Sequence, residues 1–442
     1  MMSKIKEKIL LNIVFPITDK VMGMYITKWY RQICKMQSWS ENDVVCWQNE
    51  QLQKLVHHAY NHTRYYKRVF DELRLKPSDI KNADDLKQLP IVTREIIRKY
   101  YDEFIPDNLS KIKYRKASTG GTTGVPMKYY CDENTWGYVT AAKIYAWKTT
   151  GFHYSDKFVA LGSASLFSKK PSLLRRLYDG LRNEYALNSV NLTDDLCAKY
   201  IDFIKKQRIK YIYGYAASIY ILTKYIVEHN IDMTQIKAVF TTSEHLTDDY
   251  RKLMEDTYQC RVMDCYGAKD AGITAYEIER GKYHVGYNVI TELVDCIDDN
   301  TGTVLTTNLL NYSFPLIRYQ FGDDVTFTDE TAGYNGKVIS NVVGRTSDVM
   351  RLSNGHNLTS TGFSMIIKQF DVKAFEIVQL GDLDVKLSLQ VDDNKFTKEQ
   401  EDEIVKTILR YLGDDCNLLV EYVKEFAPLP NGKRRHYFMP QA

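Results

Sequence analysis

The chain has 442 residues, of which 44% are hydrophobic and 26% charged, a balance that excludes global disorder and allows roughly two to four domains. Its 59 basic and 56 acidic residues leave a net charge of only +3, which argues against a nucleic-acid-seeking surface. The eight cysteines, at 34, 46, 131, 197, 260, 265, 296 and 416, form no CxxC pair and read as reduced thiols of a cytoplasmic protein.

The first stretch, KIKEKILLNIVFPITDKVMGMYITKWYRQICK, is apolar in patches and broken by Glu7-Lys8, Pro16 and Asp19-Lys20. No run approaches the roughly 20 apolar residues of a spanning helix, and no small-residue cleavage site follows. The pattern reads as an amphipathic helix packed on the body. The alternative is a peripheral contact with the inner face of a membrane, because Lys, Trp and Tyr flank the apolar part. Residues 41–104 read as helical, with Leu52, Leu55, Val56, Ala59, Tyr66 and Phe70 at helical spacing. A break is expected at Pro77-Ser78-Asp79, and the helix restarting after LPIVTRE takes Thr93 as its N-cap, with Glu95 in the first turn.

From 111 to about 325, short β-rich runs alternate with helical ones. KFVALG (157–162), IKYIYGY (209–215), IKAVFTTS (236–243) and CRVMDCYG (260–267) read as strands, the last running into a turn. LCAKYIDFIKKQ (196–207), SIYILTKYIVEHN (218–230) and TDDYRKLMEDTY (247–258) read as helices, the last capped by Thr247. Such alternation predicts an α/β fold with mixed, largely parallel sheets, whose ligands gather beyond the carboxyl ends of the strands. Residues 288–343 are β-rich, and Asn335-Gly336 is a hairpin signal. Beyond 344 the chain has α+β character, with a strand at 385–393 and a helix at 397–413 ending at Gly413. The expected division is a large domain over 1–344, helical over 1–105, and a small independent domain over 345–442.

Four segments carry chemistry. In ASTGGTTGVPMKYY (117–130), Gly120, Gly121 and Gly124 let backbone approach an anion, while Ser118, Thr119, Thr122 and Thr123 can donate to phosphate oxygens. The stretch lacks a Walker pattern, and alone it reads as a glycine-rich turn. In PLIRYQFGDDV (315–325), Asp323 on a tight glycine turn could accept both hydroxyls of a ribose; a plain hairpin turn is the simpler reading. GRTSD (344–348) offers Arg345 to a phosphate or ribose, and PLPNGKRRHYF (428–438) offers Lys433 as a mobile cation. Each reads alone as a surface feature. Cys260, Cys265, His284 and Cys296 could be argued into a metal site, but they contain no tight ligand pair and read as packed side chains.

Taken in order, these segments resemble the adenylate-forming superfamily of acyl-CoA synthetases, peptide-synthetase adenylation domains and luciferases. Within it, the chain is similar to the phenylacetate–CoA ligase group and its branch found with capsular-polysaccharide genes. VFTTSEHLTDDYRKLMEDTY followed by DCYGAKDAG resembles the adenine-binding strand and aromatic segment, and the resemblance spans nearly the whole chain.

That resemblance implies ATP, Mg2+ and CoA as cofactors, with a small-molecule carboxylic acid and CoA or another acyl acceptor as partners. Thr119, Gly121, Thr122, Thr123 and Gly124 would hold phosphates, with Ser118 and Lys128 beside them. Thr242, Ser243 and Glu244 would flank the adenine, and Tyr266, followed by Gly267, would stack on it. Asp270 falls where the family has a magnesium-binding glutamate, Asp323 and Arg345 would meet the ribose, and Lys433 would reach the α-phosphate. The small domain would swing about 345–348. Met127 stands where many members have lysine, Ser347 replaces the hinge aspartate, and Gly120 replaces a hydroxyl residue. These departures set a second reading beside the ligase: a catalytically specialised or inactive nucleotide-binding assembly protein on the same fold. A sugar-nucleotide glycosyltransferase also fits the α/β pattern but lacks a DxD-type pair beside a strand and leaves LPNGKRR unexplained. GSASLF (162–167), including Phe167, and GYAAS (214–218), with Tyr213 and Tyr215 around it, are candidates for the acyl pocket; aromatics at this spacing more often pack in the core.

Overall fold

The computed structural model describes residues 9–119, 127–162, 180, 183–189, 192–244, 246–330, 333–342, 349–352, 357–359, 363, 366–367, 370, 372–391, 396–424 and 437–438. The helical start comprises a π-helical turn, Leu10–Val14, running into α1 (Phe15–Met22), then α2 (Ile26–Met36), α3 (Glu41–His62) and α4 (Arg64–Leu73). Ser40 and Asp43 close a capping box at the start of α3, and Thr63 accepts from Tyr66 N at the start of α4. The Pro77 break is a single 3-10 turn, Pro77–Asp79. A two-residue strand β1 (Val92–Thr93) precedes α5 (Arg94–Lys99), which Thr93 caps as expected, its hydroxyl accepting from Ile96 N.

A hairpin of β2 (Tyr114–Ser118) and β3 (Lys128–Asp132) leads into α6 (Glu133–Lys148). Arg115 clamps the start of that helix with a two-pronged ion pair to Glu133 at 2.6 and 3.0 Å. Next come β4 (Phe158–Gly162), β5 (Glu184–Asn188), α7 (Asp194–Lys206), β6 (Tyr211–Tyr215), α8 (Ala216–Glu228), β7 (Ala238–Thr242), α9 (Asp248–Tyr258) and β8 (Arg261–Met263). The five strands form an all-parallel sheet in the order β5-β4-β6-β7-β8. Alternate residues feed opposite faces. Phe158, Ala160, Tyr211 and Phe240 pack toward α2 and α6, with Trp147 stacked on Phe240 at 4.2 Å. Val159, Leu161, Ile212 and Val239 pack toward α7, α8 and α9. Both faces are covered, which is why these strands read as continuous apolar runs.

The second sheet is not parallel. It joins β9 (Cys265–Ala268), β10 (Ile273–Glu279), β11 (Lys282–Val285), β12 (Val289–Val294), β13 (Thr301–Asn308), β14 (Tyr319–Thr328) and β15 (Val338–Val342) in the order β12-β13-β14-β15-β11-β10-β9. All pairings along it are antiparallel; only β1 adds in parallel, to β14. The run 260–267 is therefore two strands in two sheets, with Asp264 at the changeover. Thr241 Oγ1 donates to Asp264 at 2.5 Å, and Tyr283 at 3.1 Å, pinning the chain where it changes sheet. The strands flanking Asn335-Gly336 do form an antiparallel hairpin, but its connection is longer than the two-residue turn that the dipeptide signals. The dipeptide lies in the connection between β14 and β15, where the Asn335 amide donates to Trp39 O and a Cβ on Gly336 would come 2.6 Å from Tyr334. The glycine admits a tyrosine stack, Tyr334 on Tyr287 at 4.9 Å.

The C-terminal part contains β16 (Val349–Arg351) paired with β17 (Asn357–Thr359). A four-stranded sheet follows, ordered β20-β19-β18-β21, from β18 (Val372–Gln379), β19 (Asp384–Val391), β20 (Asn417–Tyr422) and β21 (Tyr437–Phe438). Helix α10 (Lys398–Leu412) is capped by Thr397 and stops at Gly413 with φ 93°. Its buried apolar cluster runs from Leu352 to Cys416, and Tyr411 packs both against it and against the cluster under α7, α8 and α9.

Candidate active site

The glycine-threonine loop begins from the tip of the β2–β3 hairpin. Thr119 N donates to Met127 O and Met127 N donates to Thr119 Oγ1, both at 2.9 Å, so these two residues close the loop base. Met127 is buried in the core, which explains an apolar side chain there. Ser118 and Lys128 are exposed cross-strand partners. Gly120, Gly121, Thr122, Thr123 and Gly124 lie outside the described residues, as do Phe167, Arg345, Ser347, Asp348 and Lys433.

Next to this base stands a cluster that sequence reading had only in part. Tyr129, buried on β3, lies beside Asp270 and Tyr319; burial, then the Asp270 charge, holds its hydroxyl protonated. Tyr319 donates to Asp270 Oδ2 at 2.7 Å, and Arg94 Nη2 lies 3.6 Å from the same oxygen. Arg94 Nε also donates to Tyr319 at 3.2 Å. Burial works against the Arg94 charge, but Tyr319, Asp270 and Asp323 outweigh it and keep the guanidinium firmly protonated. Arg94 arrives because β1 pairs with β14, Val92 opposite Tyr319, which sets the first residue of α5 over the strand.

Tyr266 donates to Asp323 Oδ2 at 3.2 Å. Their strands are four steps apart in the sheet, about 19 Å if it were flat. The sheet therefore curls until its edge strand β9 faces β14. Asp323 is not on a hairpin turn: Gly322, with φ 93°, sits inside β14 at a register shift against β13, and this bulge sets the local course of the strand at Asp323. Gly267 has its own reason to be glycine, since a Cβ there would lie 2.9 Å from Ile273 O in β10.

The other named residues lie at the end of β7. Thr242 is buried, with Tyr213 and Cys265 around its hydroxyl. Ser243 turns the chain with φ 68°. Glu244 Oε2 accepts from Ala217 N at 2.9 Å, in the first turn of α8. Burial pushes its carboxyl up to about 7, the Ala217 bond acting in the opposite sense. Tyr411 of α10 faces Glu244 and Ser218, and Arg410 donates to Leu192 O at 2.5 Å. The C-terminal helix thus touches the rim of the parallel sheet. Tyr215 is buried, and Tyr213 packs half-buried against the core, its ring tilted 59° to Trp147 at 5.1 Å.

Behind the site, Arg251 reaches both Glu277 oxygens at 2.8 Å, while Glu277 also accepts from Asp264 N and Gly281 N. This buried pair ties α9 to β10 and braces the sheet changeover.

Among the described residues, no group of three or more His, Cys, Asp or Glu could hold a metal alone. Magnesium delivered with nucleotide phosphates needs only one or two protein carboxylates. Asp270 fits that need, with its described hydrogen bond and ion pair both on Oδ2. Burial pushes the Cys260 and Cys265 thiols up to about 12, and pushes His284, stacked on Tyr334 at 4.4 Å, down to about 4.

The fold is that of the adenylate-forming ligases. The structure superposes on 2-hydroxyisobutyryl-CoA ligase in its postadenylation state with R3-HIB-AMP, covering 89% of each chain with a TM-score of 0.57 at 17% identity. An open conformation of the same ligase with 2-HIB-AMP and CoA gives a TM-score of 0.55 at 16% identity. In sequence, the chain is homologous to protein CapK of Staphylococcus aureus, 25% identical over 437 residues that cover 96% of this chain and 95% of CapK. It is also homologous to phenylacetate-coenzyme A ligase of Pseudomonas putida, 23% identical over 83% of this chain and 87% of that protein. No protein-family model matches it.

Proposed function

We propose that this protein is an AMP-forming ligase. It would activate a carboxylic acid with ATP to an acyl-adenylate, release pyrophosphate, and pass the acyl group to CoA or another acceptor in the building of a surface polysaccharide. The observation that carries this is the convergence of Tyr266 with Asp323, and of Asp270 with Arg94 and Tyr319, beside the base of the 119–127 loop. The homologous CoA ligases and the acyl-AMP-bound fold neighbours support the same reaction class.

In this reading Asp323 accepts the ribose hydroxyls, and the Tyr266 ring takes one face of the adenine, with Thr242, Ser243 and Glu244 along the neighbouring strand end. Thr119, Gly121, Thr122, Thr123 and Gly124 hold the phosphates, and Arg345 lies near the ribose. Magnesium held through the ATP phosphates and Asp270 would supply neutralising charge around the α-phosphorus. One carboxylate oxygen of the acid bonds to that phosphorus. The bond from phosphorus to the oxygen bridging the β-phosphate breaks, and pyrophosphate leaves. Lys433 and Arg94 meet the negative charge that spreads over the phosphate oxygens. The domain beyond 345 then turns about 345–348, parting Tyr411 and Arg410 from the rim, to admit the acceptor.

The test is pyrophosphate release across a panel of aromatic, hydroxy- and fatty acids, with and without CoA, with thioesters read by mass spectrometry. Acid-dependent release with thioester formation supports CoA as acceptor. Acid-dependent release without thioester leaves adenylation standing and sinks CoA.

A further inference from the structure

We propose that the ridge formed by Ile9, Ile13, Ile17 and Val21 is a docking surface for an anionic lipid bilayer. These four side chains are 48%, 56%, 58% and 66% exposed, while no other helix among the described residues carries more than one large exposed apolar side chain. Residues four apart on an α-helix drift around the axis by about 40° per step. The π-helical turn at Leu10–Val14 rotates less per residue and counters that drift, which keeps Ile9 and Ile13 in line with Ile17 and Val21. The ridge is also held firmly from behind. Phe15 is fully buried with its ring 4.4 Å from Tyr154, and Asp19 Oδ2 accepts from Thr27 N at 2.6 Å. Arg31 donates to Leu11 O at 3.2 Å and to Asn12 Oδ1 at 3.3 Å.

Charge selects the occupant. Residues 1–40 hold seven basic and two acidic side chains, a net +5 in a chain whose total is only +3. One of the two acids, Asp19, is buried in the hydrogen bond to Thr27. Lys20 is exposed next to the ridge, and Lys28, Arg31 and Lys35 are exposed at helical spacing on α2. A second copy of the chain would set two positive clusters against each other. An anionic bilayer offers apolar depth to the isoleucines and negative headgroups to the lysines. No helix among the described residues is long and apolar enough to cross the membrane, so the contact is an in-plane one.

The experiment is sedimentation of the full chain with vesicles of phosphatidylcholine alone, and of phosphatidylcholine with phosphatidylglycerol in equal parts. The expected result is binding to the mixed vesicles only, weakening as salt is raised. The Ile13→Gln/Ile17→Gln variant should lose about tenfold or more in partitioning. Ile13→Leu/Ile17→Leu should retain binding, and Ile297→Gln, at another exposed isoleucine, should leave it unchanged. Equal binding of the glutamine variant and the wild type would overturn the proposal. So would wild-type protein that ignores anionic vesicles, or that forms a dimer which the glutamine variant dissolves. The leucine variant separates loss of the ridge from loss of the fold, since both double variants change the same two positions.

Discussion

Arg94 Nη2 and Asp270 Oδ2 stand 3.6 Å apart, although 175 residues separate them in the chain. Tyr319 bridges the two, donating to Asp270 and accepting from Arg94. A cation is thus built into the cluster beside the base of the 119–127 loop, and it faces Asp323 as well. Arg94→Ala is expected to lower acid-dependent adenylation about 10- to 100-fold, the loss of one or two charge-assisted contacts. Arg94→Lys should recover part of it, as a point charge without the second bond to Tyr319. Steady-state pyrophosphate release measures both; equal rates in wild type and Arg94→Ala would remove Arg94 from the site.

Asp323→Ala should raise the KM for ATP by about tenfold or more, since a carboxylate accepting ribose hydroxyls contributes about 1.5–3 kcal/mol. Tyr266→Phe keeps the ring face and loses only the 3.2 Å bond, so its effect on KM should be smaller. Lys128→Ala, at an exposed position paired with Ser118, should change ATP binding less than either. A KM ordering with Lys128→Ala largest would reverse this picture of the site.

Glu277→Ala strands the buried Arg251 guanidinium and the Asp264 and Gly281 amides. Urea unfolding should show a loss of about 3–5 kcal/mol, the usual result of removing one partner of a buried pair. A loss below about 1 kcal/mol would mean that the pair does not brace the two sheets.

Glu244 sets a pH dependence with a definite sign. Its folded-state carboxyl is raised to about 7 from an ordinary 4.5. The folded state therefore holds a proton that the unfolded state gives up. The stability contributed is complete below about 4.5 and is lost as pH rises through about 7. Thermal midpoints of Glu244→Gln should fall less than wild type between those values. Parallel curves would show that Glu244 is not the titrating group.

Much of the fold was legible because local chemistry marked it. Thr93 and Thr247 cap the helices they were expected to cap, and apolar runs such as 157–162 and 236–243 are strands of the doubly covered parallel sheet. What escaped depends on pairing between distant strands. Asp264 reads as part of one strand, and nothing local shows that the chain changes sheets there. Gly322 looks like a turn, because a bulge and a turn ask the same of glycine. Arg94 went unseen since its role rests on β1 adding to β14, a pairing of two residues with no periodicity to read. Tyr319 could have been found from its place in the RYQFGDD run, one residue past an arginine buried against Glu292.

Adenylation by this protein is tested most directly by acid-dependent exchange of labelled pyrophosphate into ATP by wild type and Lys433→Ala. Exchange is expected with at least one carboxylic acid of a broad panel, none without acid, with a fall of about 100-fold or more in the variant. ATP that binds without exchange for any acid, or exchange of equal rate in Lys433→Ala, would contradict it.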